Sequence, residues 1–193
     1  MNNIIRDHYN ESLKTLIDIE KELPNIKKIT DFLIAKINSG KKIFVYGNGG
    51  SFADSSHFVG ELTATYSKKN RRPLPFILLS SNLAAITAWS NDFTYKDYVS
   101  RELDVFGSRG DVLILFSTSG GNIKKKQSLN LIKLANLSNK KNITVISLLG
   151  KGGGVLKKIS SKSIVVNSNN TGSIQEMHKM IFHSICAYLD NHF

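Results

Sequence analysis

The stretch Lys42-Ile43-Phe44-Val45-Tyr46-Gly47-Asn48-Gly49-Gly50-Ser51 decides the fold of this chain. A short β-branched and aromatic run ends in a glycine-rich turn, and a helical pattern follows at once through His57 to Glu61. This order predicts a strand, a tight turn and a helix. Glycines let the backbone adopt positive φ angles and approach a ligand closely. We therefore expect the free N–H groups at the start of this helix, with Ser51 as its N-cap, to form an anion site.

The composition of this chain of 193 residues indicates one globular domain, predicted to span residues 1–193. The N-terminus lacks the apolar segment of a signal peptide, and no apolar run reaches the about 18–20 residues of a membrane helix. The single cysteine, Cys186, has no partner for an internal disulfide, and its helical pattern predicts a buried, small apolar side chain. These features indicate a cytoplasmic protein.

The net charge of +11 indicates either anionic ligands or nucleic acid. Most of the excess is lysine, in pairs and triplets spread along the chain, whereas arginines, which bind phosphates with two hydrogen bonds, are few. No basic run is interleaved with aromatic residues, as a platform for single-stranded nucleic acid requires. We interpret most of these lysines as solvated residues at the ends of elements. Nucleic-acid binding is therefore disfavoured, although the charge alone leaves it open.

Strands and helices alternate along the chain after residue 41. Continuous apolar runs such as 111–116 and 142–148 are typical of parallel strands that are buried on both faces. The predicted elements are strands at 42–46, 74–79, 111–116, 142–148 and 162–166 and helices at 51–66, 82–90, 95–106, 122–138 and 172–190. This alternation predicts an α/β fold with a doubly wound five-stranded parallel sheet, which binds ligands at the carboxyl ends of its strands. The loops concerned are 47–51, 80–82, 117–122 and 149–154.

Two amphipathic helical patterns, at 3–21 and 26–37 around Pro24, precede the first strand. They form an N-terminal extension, residues 1–40, to an α/β body of residues 41–193. Because an apolar extension needs a surface that covers it, we expect it to pack against another subunit in a homo-oligomer.

A second loop rich in glycine and hydroxyl groups, Ser117-Thr118-Ser119-Gly120-Gly121-Asn122, directly follows the strand 111–116. Its hydroxyls and its backbone amides at the start of a helix can surround a phosphate without any lysine. The first loop matches neither of the nucleotide fingerprints G-x-x-x-x-G-K-[ST] and G-x-G-x-x-G. The sequence therefore predicts a phosphate site that is not of the usual nucleotide type, with an ordinary capping loop as the alternative.

Side chains of metal-ligand type lie on two predicted helices. His57 and Glu61 are four residues apart and share one helix face, and Gln175 and His183, eight residues apart, share another. Nitrogen and oxygen donors of this kind suit Zn²⁺ or a similar divalent ion if the two helices converge. His178, between the last two, is either a further ligand or a surface residue.

Several motifs occur along the chain in one order and spacing: Gly47-Asn48-Gly49-Gly50-Ser51, His57-x-x-x-Glu61, Asn91-Asp92-Phe93, Ser117-Thr118-Ser119-Gly120, Gly150-Lys151 and Gln175-Glu176-x-His178…His183. With them, nearly the whole chain resembles the phosphoheptose isomerases, small members of the sugar-isomerase (SIS) domain superfamily. The Ser-Thr-Ser-Gly loop is specific only for the superfamily, whereas the His/Glu and Gln/His pairs are typical of this family. The resemblance implies a SIS-type, flavodoxin-like three-layer sandwich with two N-terminal helices.

The resemblance also implies an activity and a site. Phosphoheptose isomerases are aldose–ketose isomerases that convert sedoheptulose 7-phosphate to D-glycero-D-manno-heptose 7-phosphate through an enediol, for the heptose of bacterial lipopolysaccharide or capsule. By resemblance, His183 and Glu61 are the candidate base and acid, and one Zn²⁺ per subunit is bound by His57, Glu61, Gln175 and His183. The implied substrate-binding residues are Asn48, Gly49, Gly50, Ser51, Glu61, Asn91, Asp92, Ser117, Thr118, Ser119, Asn122 and Gln175. The family implies a homotetramer with sites between subunits.

The sequence departs from the family pattern in three places. Thr65 stands where the family usually has arginine, and Gly172 stands where it usually has aspartate. Gly121-Asn122 replaces the Asn-Ser with which the phosphate loop commonly ends. These departures leave open an isomerase of another sugar phosphate. The other alternative is a non-catalytic SIS module of the type that binds the replication initiator, which has no need of the four metal-ligand side chains.

Overall fold

A five-stranded, fully parallel sheet runs through the computed structural model, which describes residues 3–193. The strands are β1 (Ile43–Gly47), β2 (Phe76–Leu78), β3 (Val112–Ser117), β4 (Thr144–Leu149) and β5 (Lys162–Val165). Their order in the sheet is β2-β1-β3-β4-β5. The predicted doubly wound parallel sheet is confirmed, and every strand begins and ends within two residues of its predicted bounds. Residues 1 and 2, which the predicted domain 1–193 includes, lie outside the described residues.

Helices cover both faces of the sheet. They are α1 (Asn3–Asp18), α2 (Leu23–Asn38), α3 (Gly50–Thr63), α4 (Leu83–Asp92), α5 (Tyr95–Phe106), α6 (Leu129–Lys140), α7 (Gly154–Ile159) and α8 (Thr171–His192). Helices α2, α3 and α8 pack on one face, around side chains such as Val45, and α5, α6 and α7 pack on the other, around side chains such as Phe44. Since successive strand residues point to opposite faces, the fully buried strands β1 and β3 contribute to both cores.

The two predicted N-terminal helices are present, with the 3-10 turn Ile19–Glu22 between them. Pro24 does not interrupt the second helix, because it lies in the first turn of α2, where its missing N–H has no intrahelical acceptor. Cys186 is buried, as predicted. Among residues 3–193, none of the helices combines the length and the apolar character that crossing a membrane requires. The division into an extension, 1–40, and a body, 41–193, stays a prediction.

The helix predicted at 122–138 begins seven residues later, at Leu129. Residues 122–127 instead form a turn closed by paired backbone hydrogen bonds between Asn122 and Gln127, of 3.0 and 2.9 Å. Lys126 and Ser128 have φ angles of 52° and 53°, which a right-handed helix does not accommodate. Helix α7 was not predicted, because the three glycines that lead into it favour a loop.

Candidate active site

The loops after β1 and β3 lie side by side at the position in the sheet where the connections to the next strands run in opposite directions. Strands β1 and β3 are neighbours, but the chain crosses from β1 to β2 on one side and from β3 to β4 on the other. Doubly wound sheets bind ligands at this switch point, outside the carboxyl ends of the strands. The first loop, residues 47–51, and the second loop, residues 117–121, therefore lie side by side where the fold offers a ligand site.

The first loop turns tightly from β1 into α3. Gly49 holds the N-cap position with a φ angle of 56°, a conformation that favours glycine. The prediction of Ser51 as N-cap is wrong, because Ser51 is the second residue of the helix and is only 4% exposed. No side chain caps the start of α3. The N–H groups of Ser51 and Phe52 donate to the carbonyl oxygens of Asn48 and Gly49 at 3.0 and 2.9 Å, so the N–H of Gly50 is the one at the start of the helix that can bind an anion.

The second loop is held by its own hydroxyl groups and by the backbone behind it. Ser117 Oγ accepts a hydrogen bond from the N–H of Gly120 at 3.1 Å, and Ser119 Oγ accepts one from Gly121 at 3.3 Å. Gly120 has a φ angle of 66°, and a Cβ at this position would overlap the carbonyl group of Gly153. The loop therefore has one tightly defined shape, with Thr118 half-buried at its tip.

The start of α6 lies next to both loops, seven residues beyond the helix start at residue 122 that the sequence predicts. Ser128 precedes α6 and makes no side-chain cap. Asn130 is 4% exposed and reaches Asn48 in the first loop. Asn122, predicted to bind substrate, lies at the base of the turn 122–127, where its Oδ1 accepts a hydrogen bond from the N–H of Lys125 at 3.0 Å. A single amide in a helical pattern predicts only a polar position, so no signal marked Asn130.

Three of the predicted metal-type side chains come together where α3 contacts α8. One ligand atom from each of His57, Glu61 and His183 lies within 4.8 Å of the other two. His57 Nε2 and Glu61 Oε1 are 2.8 Å apart, and the His57 and His183 rings lie edge to face with centroids 5.1 Å apart. Phe182 packs edge-on against both imidazoles. Two imidazole nitrogens and a carboxylate oxygen form a donor set that suits a borderline divalent ion.

Gln175 lies two helical turns before His183 on α8. A Cβ at Gly50 would overlap its Nε2, so the carboxamide packs directly against the first residue of α3. Within one chain, Gln175 is therefore beside the first loop, about 12 Å along α8 from His183. This position is compatible with the predicted contact to substrate.

Asn91 and Asp92 form the last turn of α4 and are exposed. Asn91 Nδ2 donates a hydrogen bond to Asp92 Oδ1 at 2.9 Å. Helix α4 buries none of its residues, and among residues 3–193 no hydrogen bond joins this pair to either loop. Within one chain, the two predicted sugar contacts are therefore exposed and bonded to each other.

Two of the departures from the family pattern, Thr65 and Gly172, have different surroundings. Thr65 is exposed in the loop after α3. Gly172 lies in the first turn of α8, where a Cβ would be 3.0 Å from Cε1 of His8 on α1. His8 Nε2 is in turn 3.0 Å from Glu176 Oε1. A histidine from the N-terminal helix therefore occupies the space beside the position where relatives usually carry an aspartate.

Burial and neighbouring charges set the protonation of several groups near the site. Desolvation, together with His57, lowers the pKa of His183 below its ordinary value, so the ring is neutral and can accept a proton. Asp54 is 7% exposed, and burial raises the pKa of its carboxyl group.

His178 is neither a surface residue nor a member of the three-donor cluster. It is fully buried beside Phe116, and burial lowers its pKa to about 4.

Known proteins share this architecture. The SIS domain family matches residues 7–150. A phosphoheptose isomerase from Shewanella denitrificans is 37% identical over 190 residues, which cover 96% of this chain and 93% of that protein. The structure of a phosphoheptose isomerase from Francisella tularensis superposes with a TM-score of 0.90 at 27% identity, covering 98% of this chain and 97% of the other. The corresponding enzyme from Neisseria gonorrhoeae gives 0.87 at 27% identity, with 98% of each chain covered.

The five-stranded parallel sheet and the family match over residues 7–150 make this chain a SIS-domain protein. Within that class it belongs to the phosphoheptose isomerase family, as its motifs predicted. Enzymes of this family are aldose–ketose isomerases, which move a carbonyl group between the first two carbons of a sugar. Both the sequence similarity and the structural similarity to phosphoheptose isomerases extend over almost the whole chain.

Proposed function

We propose that this chain converts sedoheptulose 7-phosphate to D-glycero-D-manno-heptose 7-phosphate, for the heptose of bacterial lipopolysaccharide or capsule. The observation that carries the proposal is the cluster of His57, Glu61 and His183. It lies where α8 packs on α3, the helix that begins at the first loop. His57 follows Gly50 by seven residues, a rise of about 10 Å along α3. This separation is comparable with the length of an open-chain heptose phosphate, so one substrate can reach from the loops to the cluster.

In this proposal the two loops bind the phosphate group of the sugar. The uncapped start of α3 offers the N–H of Gly50 and the positive end of the helix dipole, and the second loop adds hydroxyls and further amides. Asn91 and Asp92 would contact the hydroxyl groups of the sugar. Because the phosphate is remote from the reacting carbons, its binding energy serves to hold those carbons at the cluster.

The isomerisation relocates two protons within the sugar and neither adds nor removes an atom. A base removes a proton from C1 of the ketose while the C2 carbonyl oxygen gains a proton, which gives an enediol. Return of a proton to C2 and loss of the O1 proton then form the aldehyde at C1. We assign the base and acid roles to His183 and Glu61, the imidazole and the carboxylate that the packing of α8 on α3 brings together.

A divalent ion fits the donor set, and we propose one Zn²⁺ per subunit held by His57, Glu61 and His183, with Gln175 as the fourth ligand by resemblance. When bound, such an ion polarises the carbonyl and hydroxyl oxygens of the sugar and stabilises developing negative charge. The edge contacts of Phe182 orient both imidazoles from the side.

We further propose that the protein is a cytoplasmic homotetramer with sites between subunits. Apolar side chains on the outer face of α1 support an assembly, with exposed fractions of 44–65%: Ile5, Tyr9, Leu13, Leu16 and Ile17. Large exposed apolar patches of this kind mark interaction surfaces. A subunit that covers α4 would also enclose Asn91 and Asp92, which one chain alone leaves open.

The test is an assay of the purified full chain with sedoheptulose 7-phosphate, with metal content measured on the same sample. We expect turnover with bound zinc, loss of turnover on chelation and recovery when Zn²⁺ is added. Glu61→Gln should lower both activity and zinc content, whereas the matched change Glu20→Gln, at an exposed glutamate of the turn after α1, should alter neither.

Two results would contradict the proposal. Bound zinc with turnover of a different ketose phosphate would reassign the substrate, a result that Thr65 and Gly172 would explain. A protein that binds sugar phosphates with neither zinc nor turnover would be a binding module of the same fold.

A further inference from the structure

The side-chain amides of Asn48 and Asn130 pair with each other beside the two loops. Asn48 belongs to the first loop, and Asn130 lies in the first turn of α6, the helix that follows the second loop. Asn130 Nδ2 donates to Asn48 Oδ1 at 2.7 Å, and Asn48 Nδ2 donates back to Asn130 Oδ1 at 3.0 Å. Each amide is therefore both donor and acceptor for the other, which fixes the orientation of both.

Two tyrosine hydroxyls extend this pair into a network. Asn130 Nδ2 also lies 3.2 Å from the hydroxyl of Tyr46, which donates to Asn48 Oδ1 at 3.2 Å. The hydroxyl of Tyr95, the first residue of α5, lies 3.0 Å from that of Tyr46 and 3.4 Å from Asn48 Oδ1. Tyr46 is 1% exposed, and burial raises the pKa of its hydroxyl, which stays protonated and able to donate. The network thus joins β1, α5 and α6.

We propose that Asn130 is a positioning residue for phosphate binding: through Asn48, it holds the first loop against the start of α6 and hence against the second loop. The inference rests on the proposed function, because that function assigns both loops to the phosphate of the substrate. Asn48 Oδ1 already accepts hydrogen bonds within the protein, so the anion meets N–H groups and not this oxygen. Without Asn130, Asn48 Nδ2 loses its acceptor and Oδ1 keeps only the longer contacts of 3.2 and 3.4 Å to the two tyrosine hydroxyls, so the first loop is held less tightly.

The β1–β3 ladder extends to Gly47 and Phe116 and aligns the roots of the two loops, so what the side chains must fix is the contact between the first loop and α6. Helix α6 starts after the excursion 122–128, and Ser128 enters it at a positive φ angle without a side-chain cap. Among residues 3–193, Asn130 is the side chain of α6 that hydrogen-bonds to the first loop, through both of its bonds to Asn48. Removal of the Asn130 side chain leaves the Nδ2 group of Asn48 without the acceptor that it has in the wild type, so the loss is concentrated at the first loop.

The main experiment compares Asn130→Ala with Asn136→Ala, which removes an exposed amide from the same helix. KM and kcat are measured with the sugar phosphate, and the affinity for inorganic phosphate is measured separately by calorimetry, without turnover. We expect Asn130→Ala to raise KM and to weaken phosphate binding by about tenfold, with kcat within about threefold of the wild type. Asn136→Ala should match the wild type in all three quantities.

A double-mutant cycle tests the route through Asn48. Asn48→Ala should weaken phosphate binding as much as Asn130→Ala, and the double variant should be no weaker than either single one, because the two amides act as a unit. Tyr95→Phe removes one hydroxyl at the edge of the network and keeps the test available if Asn130→Ala does not fold. Its expected loss of phosphate affinity is about two- to fourfold.

A folded Asn130→Ala protein with wild-type phosphate affinity would overturn the inference. So would a double variant whose loss of phosphate affinity is the product of the two single losses. If Asn130→Ala does not fold, wild-type phosphate affinity in Tyr95→Phe would overturn it. A wild-type chain that does not bind inorganic phosphate would overturn it as well. A chain that binds phosphate but does not isomerise sedoheptulose 7-phosphate would instead overturn the proposed function, and the phosphate measurements would still decide the role of Asn130.

Discussion

His178 and His183 stand five residues apart on α8, and their surroundings give them different chemistry. His183 is partly exposed beside His57 and Glu61, where a neutral ring can accept a proton or bind a metal ion. His178 is fully buried against Phe116, and burial lowers its pKa to about 4. Because the residue type and the helical spacing are compatible with both environments, burial decides which histidine has a structural role.

Replacement of His178 with glutamine should make the fold less sensitive to acid. The ordinary pKa is 6.5 and the folded value is about 4, so between these pH values the unfolded chain binds more protons than the folded chain. The stability that the neutral ring contributes is fully present above pH 6.5 and falls as the pH falls. We expect the wild type to lose about 1.4 kcal/mol more unfolding free energy per pH unit in this window than His178→Gln.

Urea unfolding above pH 6.5 and at several pH values between 6.5 and about 4 measures the unfolding free energy of both proteins and hence this difference. His192→Gln, at an exposed position near the end of α8, is the matched control and should behave like the wild type. Equal acid sensitivity of the wild type and His178→Gln would show that the buried ring is not the group that titrates.

Gly120 and Gly60 should respond to alanine in opposite ways. A Cβ at Gly120 would overlap the carbonyl group of Gly153, and the φ angle of 66° adds strain, so Gly120→Ala should destabilise the fold by about 1–3 kcal/mol. Gly60 lies within α3 with nothing near its Cβ position, and Gly60→Ala should stabilise the fold by up to about 1 kcal/mol. Urea unfolding compares them. A Gly120→Ala protein as stable as the wild type would show that the second loop is not packed against this backbone.

At the scale of elements, a buried ion pair joins the carboxyl ends of α3 and α8. Arg71 Nε lies 2.5 Å from Asp190 Oδ1, with side chains 0% and 4% exposed. Arg71 also donates to the carbonyl oxygens of Glu61 and Leu62 at 2.8 and 3.0 Å. Asp190 Oδ2 accepts hydrogen bonds from the backbone N–H groups of residues 67–68, both at 2.8 Å. The pair therefore fixes the last turn of α3, which carries Glu61, against α8.

Asp190→Ala should cost about 3–5 kcal/mol of unfolding free energy, because it leaves the Arg71 guanidinium buried without its partner. Asp104→Ala, which breaks a largely exposed pair with Lys141, is the control and should cost less than about 1 kcal/mol. Chemical denaturation of both variants measures the contrast. Similar costs for the two would contradict the burial of the Arg71 pair.

Acid should act on the same ion pair. Burial tends to raise the pKa of Asp190, but hydrogen bonds from residues 67–68 and from Arg71 outweigh it, and the pKa is lowered below 3.8. The resulting stability is present above pH 3.8 and is lost as the pH falls through the folded value. Asp190→Asn should remove this part of the acid sensitivity.

At the scale of the molecule, the outer face of α1 is an apolar surface that one chain leaves uncovered. The inner face packs on α8, where Ser12 Oγ is 3.0 Å from Ser173 Oγ. The outer face carries apolar side chains along its whole length, including Tyr9 at 63% and Leu13 at 44% exposure. Burial of such a stripe against other copies would remove apolar area from water at about 25 cal/mol per Å².

Two lysines on this face should reduce the oligomeric state. Tyr9→Lys combined with Leu13→Lys places charges in the surface that we propose to be buried between subunits, and we expect smaller assemblies than for the wild type. Sedimentation velocity over a range of concentrations measures the assembly, with Asn10→Lys as a control for added charge on the same helix. A monomeric wild type, or an unchanged assembly in the double variant, would contradict the prediction.

Much of the fold could be predicted from the sequence, because local patterns report local burial. The apolar runs at 111–116 and 142–148 predict buried parallel strands, and their bounds agree with β3 and β4 within two residues. Glycine and hydroxyl residues after β1 and β3 predict the two loops. The spacing of His57 and Glu61 predicts one shared helix face, since a helix of 3.6 residues per turn places residues four apart next to each other.

Only the tertiary structure decided which of these elements meet. The sheet order β2-β1-β3-β4-β5 brings two loops that are about 70 residues apart in the chain to one switch point. Packing of α8 on α3 brings His183 to His57 and Glu61, places Gln175 beside Gly50, and leaves His178 in the core. The pairing of Asn130 with Asn48 depends on a helix start that no periodicity revealed. Periodicity records which side of an element is buried, whereas contacts between distant elements depend on how the whole chain packs.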